Sequence, residues 1–449
     1  MKRQLFGTDG IRGLANAYPI TPDVAFKLGQ AGALLFKSRQ RRPRIVIGKD
    51  TRVSGDMLEG ALLAGISSVG VDVLRVGVLP TPAIAYLTRH YGADAGVVIS
   101  ASHNSFEDNG IKFFSPTGEK LPDAVEARME ALFFAPPKAG AAATHAGVGR
   151  VMDEPRAQEA YVQFVLGTVP ENLVLKNLHV VVDCGHGATY LTSPEVLRRL
   201  GARVTVLHDL PDGRNINDNC GSTYPKAMQE AVVRLGADLG LAHDGDGDRV
   251  ILADEQGRLV DGDRMIGLCA LHLKAKGELA KDTVVSTVMA NLGFQRALEA
   301  AGITVLRTAV GDRYVLEAMK RRGLDLGGEQ SGHVIFKRHH ATGDGLITAL
   351  QVIRVMKEQG KLLTELAGFM QEVPQLLVNV KVSKRVDPES VPAVAKAIGA
   401  ARKALGREGR VLVRMSGTEP KVRVMVEGPT QALIASLAQS ICDALKKSI

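Results

Sequence analysis

One pattern recurs three times along this chain: a short apolar strand, a helical stretch, a glycine and a second apolar strand. In the first copy Arg44-Ile45-Val46-Ile47-Gly48 opens into Lys49-Asp50-Thr51-Arg52, a helical pattern follows, and residues 70–76 read as a strand. The pattern returns at residues 180–183, which open into Cys184-Gly185-His186-Gly187 and lead through a helix to residues 201–206. It returns again at residues 284–287, followed by a loop, a helix and Gly302-Ile303-Thr304-Val305-Leu306. Strand, helix, glycine, strand predicts a right-handed βαβ unit in a mostly parallel sheet. Single units of this kind are common; three in order predict three related α/β domains.

Each copy then reaches a polar motif at or near a strand end. In the first, Val97-Val98-Ile99 leads into Ser100-Ala101-Ser102-His103-Asn104; in the second, residues 237–242 lead into His243-Asp244-Gly245-Asp246-Gly247-Asp248-Arg249. In the third, Leu324-Asp325-Leu326 leads into Gly327-Gly328-Glu329-Gln330-Ser331-Gly332-His333. Chemistry in open α/β folds gathers at the carboxyl ends of strands, so three such loops predict one site assembled at a domain junction. Residues 135–143, rich in alanine and proline, read as a linker or surface excursion. Past Gly368 the pattern changes to short alternating segments such as residues 376–382. The fold class is α/β: three related α/β domains with mixed, mostly parallel sheets (1–155, 156–256 and 257–370) and a smaller C-terminal α+β domain (371–449).

Composition narrows the function classes. At 449 residues the chain has room for several domains, and 45% hydrophobic content lets each bury a core. A net charge of +8 and the cluster Arg39-Gln40-Arg41-Arg42-Pro43-Arg44 raise a nucleic-acid reading. Dispersed basic residues elsewhere, no tryptophan and 4% aromatics leave few stacking platforms, so no nucleic-acid partner is expected. A modest positive field suits a small phosphorylated substrate equally well. No stretch approaches the ~18 apolar residues of a membrane helix, and residues 1–5 show no signal-peptide core. Cys184, Cys220, Cys269 and Cys442 have no paired spacing, which fits reduced thiols in a cytoplasm.

Asp244, Asp246 and Asp248 alternate with glycines, which let the backbone curl so that three carboxylates face inward. Three close carboxylates need a cation, and an oxygen-only set points to a hard metal. A calcium loop of the EF-hand type competes, since Glu255 falls at its twelfth position, but Arg249 replaces the glycine required at the sixth. Three carboxylates with room for an outside oxygen favour Mg²⁺ shared with a phosphate. Glu329 and Ser331 have the spacing to set a carboxylate and a hydroxyl on one side of a tight loop, as sugar recognition requires. In the last domain, residues 411–414 and 422–424 read as a hairpin. Its loop offers Arg414, Ser416, Gly417 and Thr418, the parts of a phosphate cradle. The N-terminal Phe6-Gly7-Thr8-Asp9-Gly10-Ile11-Arg12-Gly13 lacks P-loop spacing, but Arg12 is a candidate extra cation.

In this order, F-G-T-D-G-I-R-G, S-A-S-H-N, D-G-D-G-D-R, G-E-Q-S-G-H and R-M-S-G-T-E-P resemble the motifs of the α-D-phosphohexomutase superfamily, from Phe6 to Pro420. The resemblance implies four domains around a central cleft and a phosphoserine donor at Ser102. It implies one Mg²⁺ per chain on Asp244, Asp246, Asp248 and a phosphate oxygen of Ser102, and a hexose 1,6-bisphosphate as activator. Glu329 and Ser331 would hold sugar hydroxyls; Arg414, Ser416, Gly417 and Thr418 the distal phosphate; Arg12, Lys112, Arg249 and His333 the reacting phosphate. Lys112 and His333 are both candidates for proton transfer, and Ser100 is the internal rival to Ser102. The implied reaction interconverts glucosamine 6-phosphate and glucosamine 1-phosphate, with glucose or mannose phosphates, or a metal-dependent sugar phosphatase, as alternatives. A sugar-phosphate sensor without turnover is a third reading. Relatives are often dimers, so a homodimer is the implied assembly.

Overall fold

Valine- and isoleucine-rich segments suit a pleated, buried surface, and the helices between them supply the crossovers that parallel strands require. The computed structural model describes residues 4–7, 9–36, 42–136, 142–383, 386–415 and 421–448. Residues 39–41 of the basic cluster, most of the 135–143 excursion and the loop 416–420 therefore lie outside the described residues.

The first sheet contains β1 (Ile11–Leu14), β2 (Arg44–Lys49), β3 (Asp72–Val78), β4 (Ala95–Ile99), β5 (Asp108–Phe114) and β6 (Val151–Asp153), ordered β1-β5-β4-β2-β3-β6. The second contains β7 (His179–Asp183), β8 (Arg203–Leu207), β9 (Leu239–His243), β10 (Val250–Asp254) and β11 (Leu259–Val260), ordered β11-β10-β9-β7-β8. The third contains β12 (Thr283–Thr287), β13 (Thr304–Thr308), β14 (Leu326–Gly328) and β15 (Val334–Phe336), ordered β13-β12-β14-β15.

The same four-strand core recurs in all three: β3-β2-β4-β5, β8-β7-β9-β10 and β13-β12-β14-β15. Its first three strands are parallel, and the fourth returns antiparallel to the third. Each polar motif occupies that return, at the carboxyl end of the third strand. The glycine that precedes the second strand also recurs: Gly70, Gly201 and Gly302 all take positive φ (83°, 92° and 71°), a backbone suited to ending a helix. In the first copy Ile45, Ile47, Leu58, Leu62 and Ile66 are sealed between sheet and helices. Each such side chain stabilises the fold by about 1.5–3 kcal/mol relative to exposure.

The chain forms two compact units, Met1–Val288 with Ile303–Gly368, and Met289–Gly302 with Phe369–Ile449. The first holds the three α/β sheets. The second holds an antiparallel sheet of β16 (Gln375–Lys381), β17 (Arg410–Met415) and β18 (Lys421–Glu427), ordered β16-β18-β17. Helices Pro392–Leu405 and Gln431–Ser448 pack on it through Val394, Ile398, Ile434, Ile441 and Leu445. The second unit also takes helix Leu292–Ala300, which the chain builds within the third βαβ copy. Leu292 N donates to Glu427 (3.1 Å), and the Asn291 side chain exchanges hydrogen bonds with the backbone of Val373 (2.9 and 3.0 Å). Among the described residues no helix is long and apolar enough to cross a membrane.

Candidate active site

Strand β4 ends in buried Val97-Val98-Ile99, and the chain then turns sharply at Ser102, whose φ is 55°. A serine in this left-handed region carries a strain of order 1 kcal/mol, so the surroundings must hold it there. Buried Arg52, paired with Asp50 at 2.9 Å, reaches across from the end of β2. It donates to the carbonyls of Ser102 (2.9 Å), Asn104 (2.8 Å), Asp108 (3.0 Å) and Ser105. Asn217 of the second domain donates to the same Ser102 and Asn104 carbonyls, each at 2.9 Å. Ser100 Oγ accepts from Ser102 N at 2.9 Å and so braces the turn. The Ser102 hydroxyl, in contrast, points away from the brace and donates to Asp244 Oδ2 at 2.7 Å.

Asp244, Asp246 and Asp248 leave the carboxyl end of β9, with one oxygen of each within 4.8 Å of the others. Gly245 permits this approach, since a Cβ there would lie 2.7 Å from the Ser102 carbonyl oxygen. Asp246 Oδ2 accepts from Thr81 Oγ1 (2.7 Å) and Lys112 Nζ (3.0 Å). Asp246 Oδ1 and Asp248 Oδ1 are buried and have no hydrogen-bond partner among the described residues. Two stranded carboxylate oxygens in an oxygen-only set fit a hard divalent cation such as Mg²⁺. Burial, then Asp248 and Asp246, raise the Asp244 pKa well above the usual carboxylate range. Burial would raise Asp246 too, but Lys112 and the Thr81 hydrogen bond hold it below that range.

Positive groups ring the triad. Lys112, on β5, lies between Asp246 and Asp9 (3.1 Å); burial disfavours its charge, yet the two carboxylates keep its pKa raised. Arg12, on β1, pairs with Asp9 and donates to the Ala101 carbonyl at 3.3 Å. Arg249 Nη1 lies 3.3 Å from His103 Nδ1, and its Nε is 3.8 Å from Asp248. The Nε groups of both arginines are buried without a hydrogen-bond partner among the described residues, an arrangement that suits an incoming phosphate. Burial, Arg249 and Arg12 push the His103 pKa down to about 4.

His333, at the end of the third loop, lies 3.4 Å from both Asp248 and Asp312. Burial opposes its charge, but these carboxylates outweigh it and raise its pKa. The loop is tight: Glu329 N donates to His333 O (2.9 Å) and Gly332 N to Glu329 O (3.0 Å). Val250 N donates to Gly332 O at 3.2 Å, tying this loop to the strand that leaves the aspartate loop. Glu329 Oε1 accepts from Gly311 N at 3.1 Å, and Ser331 is exposed.

The structure thus brings together Arg12, Ser102, Lys112, Asp244, Asp246, Asp248, Arg249 and His333, with Glu329 and Ser331 on the adjoining return. Arg414, in the second unit, pairs in register with Arg423, while Ser416, Gly417 and Thr418 lie outside the described residues. The sequence reading missed Asp9, Arg52, Thr81, Lys120, Asn217 and Asp312. Asp9 lay in view within the N-terminal motif, and Thr81 and Asp312 follow β3 and β13, strand ends of the kind that carried the other motifs. Lys120, which bridges Asp9 and Asp312 at 2.5 Å each, left no local signal.

Four family models match the chain: phosphoglucomutase/phosphomannomutase α/β/α domain I at residues 3–139, domain II at 159–257, domain III at 261–373 and the C-terminal domain at 377–444. A phosphoglucosamine mutase from Desulforudis audaxviator is 56% identical over 437 residues, covering 97% of this chain and 96% of its own. Solved structures share the fold. A phosphoglucomutase/phosphomannomutase family protein from Burkholderia thailandensis has a TM-score of 0.79 at 24% identity, covering 99% of this chain and 97% of its own. The N-acetylphosphoglucosamine mutase of Aspergillus fumigatus, in complex with GlcNAc-6P and magnesium, has a TM-score of 0.69 at 20% identity, covering 99% and 96%. By these matches, which run nearly end to end, the chain belongs to the phosphoglucomutase/phosphomannomutase family of the α-D-phosphohexomutase superfamily.

Proposed function

We propose that this mutase interconverts glucosamine 6-phosphate and glucosamine 1-phosphate through a phosphorylated Ser102 and a bisphosphorylated sugar. The observation that carries the reading is the Ser102 hydroxyl, 2.7 Å from Asp244 in a buried triad with two unpartnered oxygens and four cationic neighbours. The name of the relative 56% identical supports the amino sugar as substrate.

Asp244, Asp246 and Asp248, with a phosphate oxygen on Ser102, would hold one Mg²⁺ per chain. Bound there, it supplies charge neutralisation for the phosphoryl oxygens. Phosphoryl transfer depends mainly on positioning and electrostatics, and this chain's residues provide both. Arg52, Asn217 and Ser100 fix the Ser102 backbone; Arg12 and Arg249 offer unpartnered N–H groups to the phosphoryl oxygens; Lys112 adds a buried charge. The sugar hydroxyl attacks phosphorus as the bond to Ser102 Oγ breaks; its proton leaves to Lys112 or His333, whichever of the two is in its neutral form, and a proton is returned to Ser102 Oγ. Glu329 and Ser331 hold sugar hydroxyls, and Arg414, Ser416, Gly417 and Thr418 take the phosphate that is not transferred. The bisphosphate then turns end for end and returns its other phosphate to Ser102, so a hexose 1,6-bisphosphate activates the unphosphorylated enzyme. We further propose a cytoplasmic setting, a reading supported by four buried free cysteines, and a homodimer, which rests on the family resemblance alone.

The test is kcat/KM in Mg²⁺ for glucosamine, glucose and mannose phosphates after priming with a hexose bisphosphate. A preference for glucosamine phosphate by orders of magnitude is expected. Comparable rates on glucose or mannose phosphate would move the enzyme to another branch of the family, and phosphate release outpacing isomerisation would make it a phosphatase.

A further inference from the structure

The second βαβ copy carries a cluster that phosphoryl transfer does not use. Asp183 is the last residue of β7, His208 directly follows β8, and Cys220 precedes the short helix Gly221–Thr223. Asp183 pairs in register with Leu207, so Asp183 and His208 sit at the same carboxyl edge of two parallel strands. That edge is where α/β sheets bind ligands. One donor atom from each residue (a carboxylate oxygen, an imidazole nitrogen and a thiol sulfur) lies within 4.8 Å of the other two.

Two further observations point to a ligand. His208 Nδ1 faces Asp183 Oδ1 at 3.0 Å, an ion-pair contact that holds imidazole and carboxylate together but is poorly aligned for a hydrogen bond. The neighbouring His186 Nδ1 is buried without a hydrogen-bond partner among the described residues, and its ring meets that of His208 edge to face at 5.2 Å. Asp183 Oδ1 accepts from Gly185 N (2.9 Å) and Oδ2 from Gly221 N (3.1 Å), bonds that fix the carboxylate's orientation as a supporting shell does in a metal site. Asp183 and Cys220 are fully buried, while the His208 side chain is 28% exposed and gives an approach from solvent.

Sulfur, nitrogen and oxygen in one set suit a borderline-soft ion that accepts tetrahedral geometry, and not Mg²⁺. We propose that Asp183, His208 and Cys220 form a second cation site for a divalent ion of the zinc class, with His186 beside the fourth position. Binding releases the Cys220 thiol proton to solvent and involves no redox change. The segment between His208 and Cys220 includes Asn217, which holds the Ser102 carbonyl, so an ion here restrains the chain that presents Ser102.

The test is a cobalt titration of the full chain, stripped with chelator and then saturated with Mg²⁺ to fill the aspartate triad. One equivalent of Co²⁺ with near-ultraviolet thiolate-to-cobalt absorption, displaced by Zn²⁺, is expected. Cys220→Ala should abolish that absorption and Cys269→Ala should leave it unchanged. His208→Ala, at a partly exposed side chain, should weaken binding by roughly 100-fold. No thiolate absorption in the unaltered protein would overturn the proposal. So would absorption that survives Cys220→Ala, or cobalt that excess Mg²⁺ displaces.

Discussion

Ser102 sits in a backbone conformation that its side chain disfavours, and the contacts that hold it there divide labour between two neighbouring serines. Ser100 spends its hydroxyl on the Ser102 N–H, whereas Ser102 aims its own at Asp244. Ser102→Ala should therefore lower kcat by roughly 10³-fold or more while the fold, read by circular dichroism, is unchanged. Ser100→Ala should lose a hydrogen bond worth about 1 kcal/mol and keep substantial turnover. Phosphopeptide mapping of enzyme primed with labelled bisphosphate should find the label on Ser102; label on Ser100 would reverse the assignment. At this scale the sequence was legible where function is written in short runs, as in S-A-S-H-N and D-G-D-G-D. Arg52 and Asn217 were not legible, because their task is to hold carbonyls from other segments and no local pattern records it.

The three returns from third to fourth strand carry the proposed site, and their coupling is testable through Gly332. Its φ is 91°, and a Cβ there would lie 2.0 Å from the Val250 carbonyl oxygen, at the start of β10. Gly332→Ala should destabilise the protein by about 2–4 kcal/mol in denaturant titrations and reduce kcat, since it pushes on the strand that leaves the aspartate loop. A second element, helix Gly345–Gln359, begins at Asp344, whose Oδ1 accepts from Leu346 N and Ile347 N (3.0 Å each). Tyr161 donates to its other oxygen at 2.8 Å. Burial raises this carboxyl to about 6, against ~3.9 in an unfolded chain. The native state therefore keeps the proton longer, and this group's contribution falls as pH rises through about 4 to 6. Measured against Asp344→Asn, the unaltered protein should lose stability across that window; a constant difference would refute the assignment. The repeated strands and their glycines were visible in the sequence because they obey a local period. The antiparallel return was not, since β15 is only three residues long and carries no alternation of its own.

At the scale of the whole molecule, the second unit is discontinuous in the chain: residues 369–449 are joined by Met289–Gly302. The sequence reading kept that stretch with its βαβ copy, because apolar periodicity reports which face of a helix is buried and not which unit buries it. A chain ended at Gly368 would remove the partners of Leu292 N, Asn291, Arg296 and the Ala290 carbonyl. Limited proteolysis should then cut within 289–302 in the shortened chain and spare that stretch in the full one; equal resistance would argue that the helix needs no such support. The same discontinuity bears on inheritance. Recombination between relatives at a single point near residue 368 would pair a C-terminal module with a foreign copy of the segment that completes it, the helix at 292–300, so viable hybrids should carry a matching donor segment at 289–302 as well.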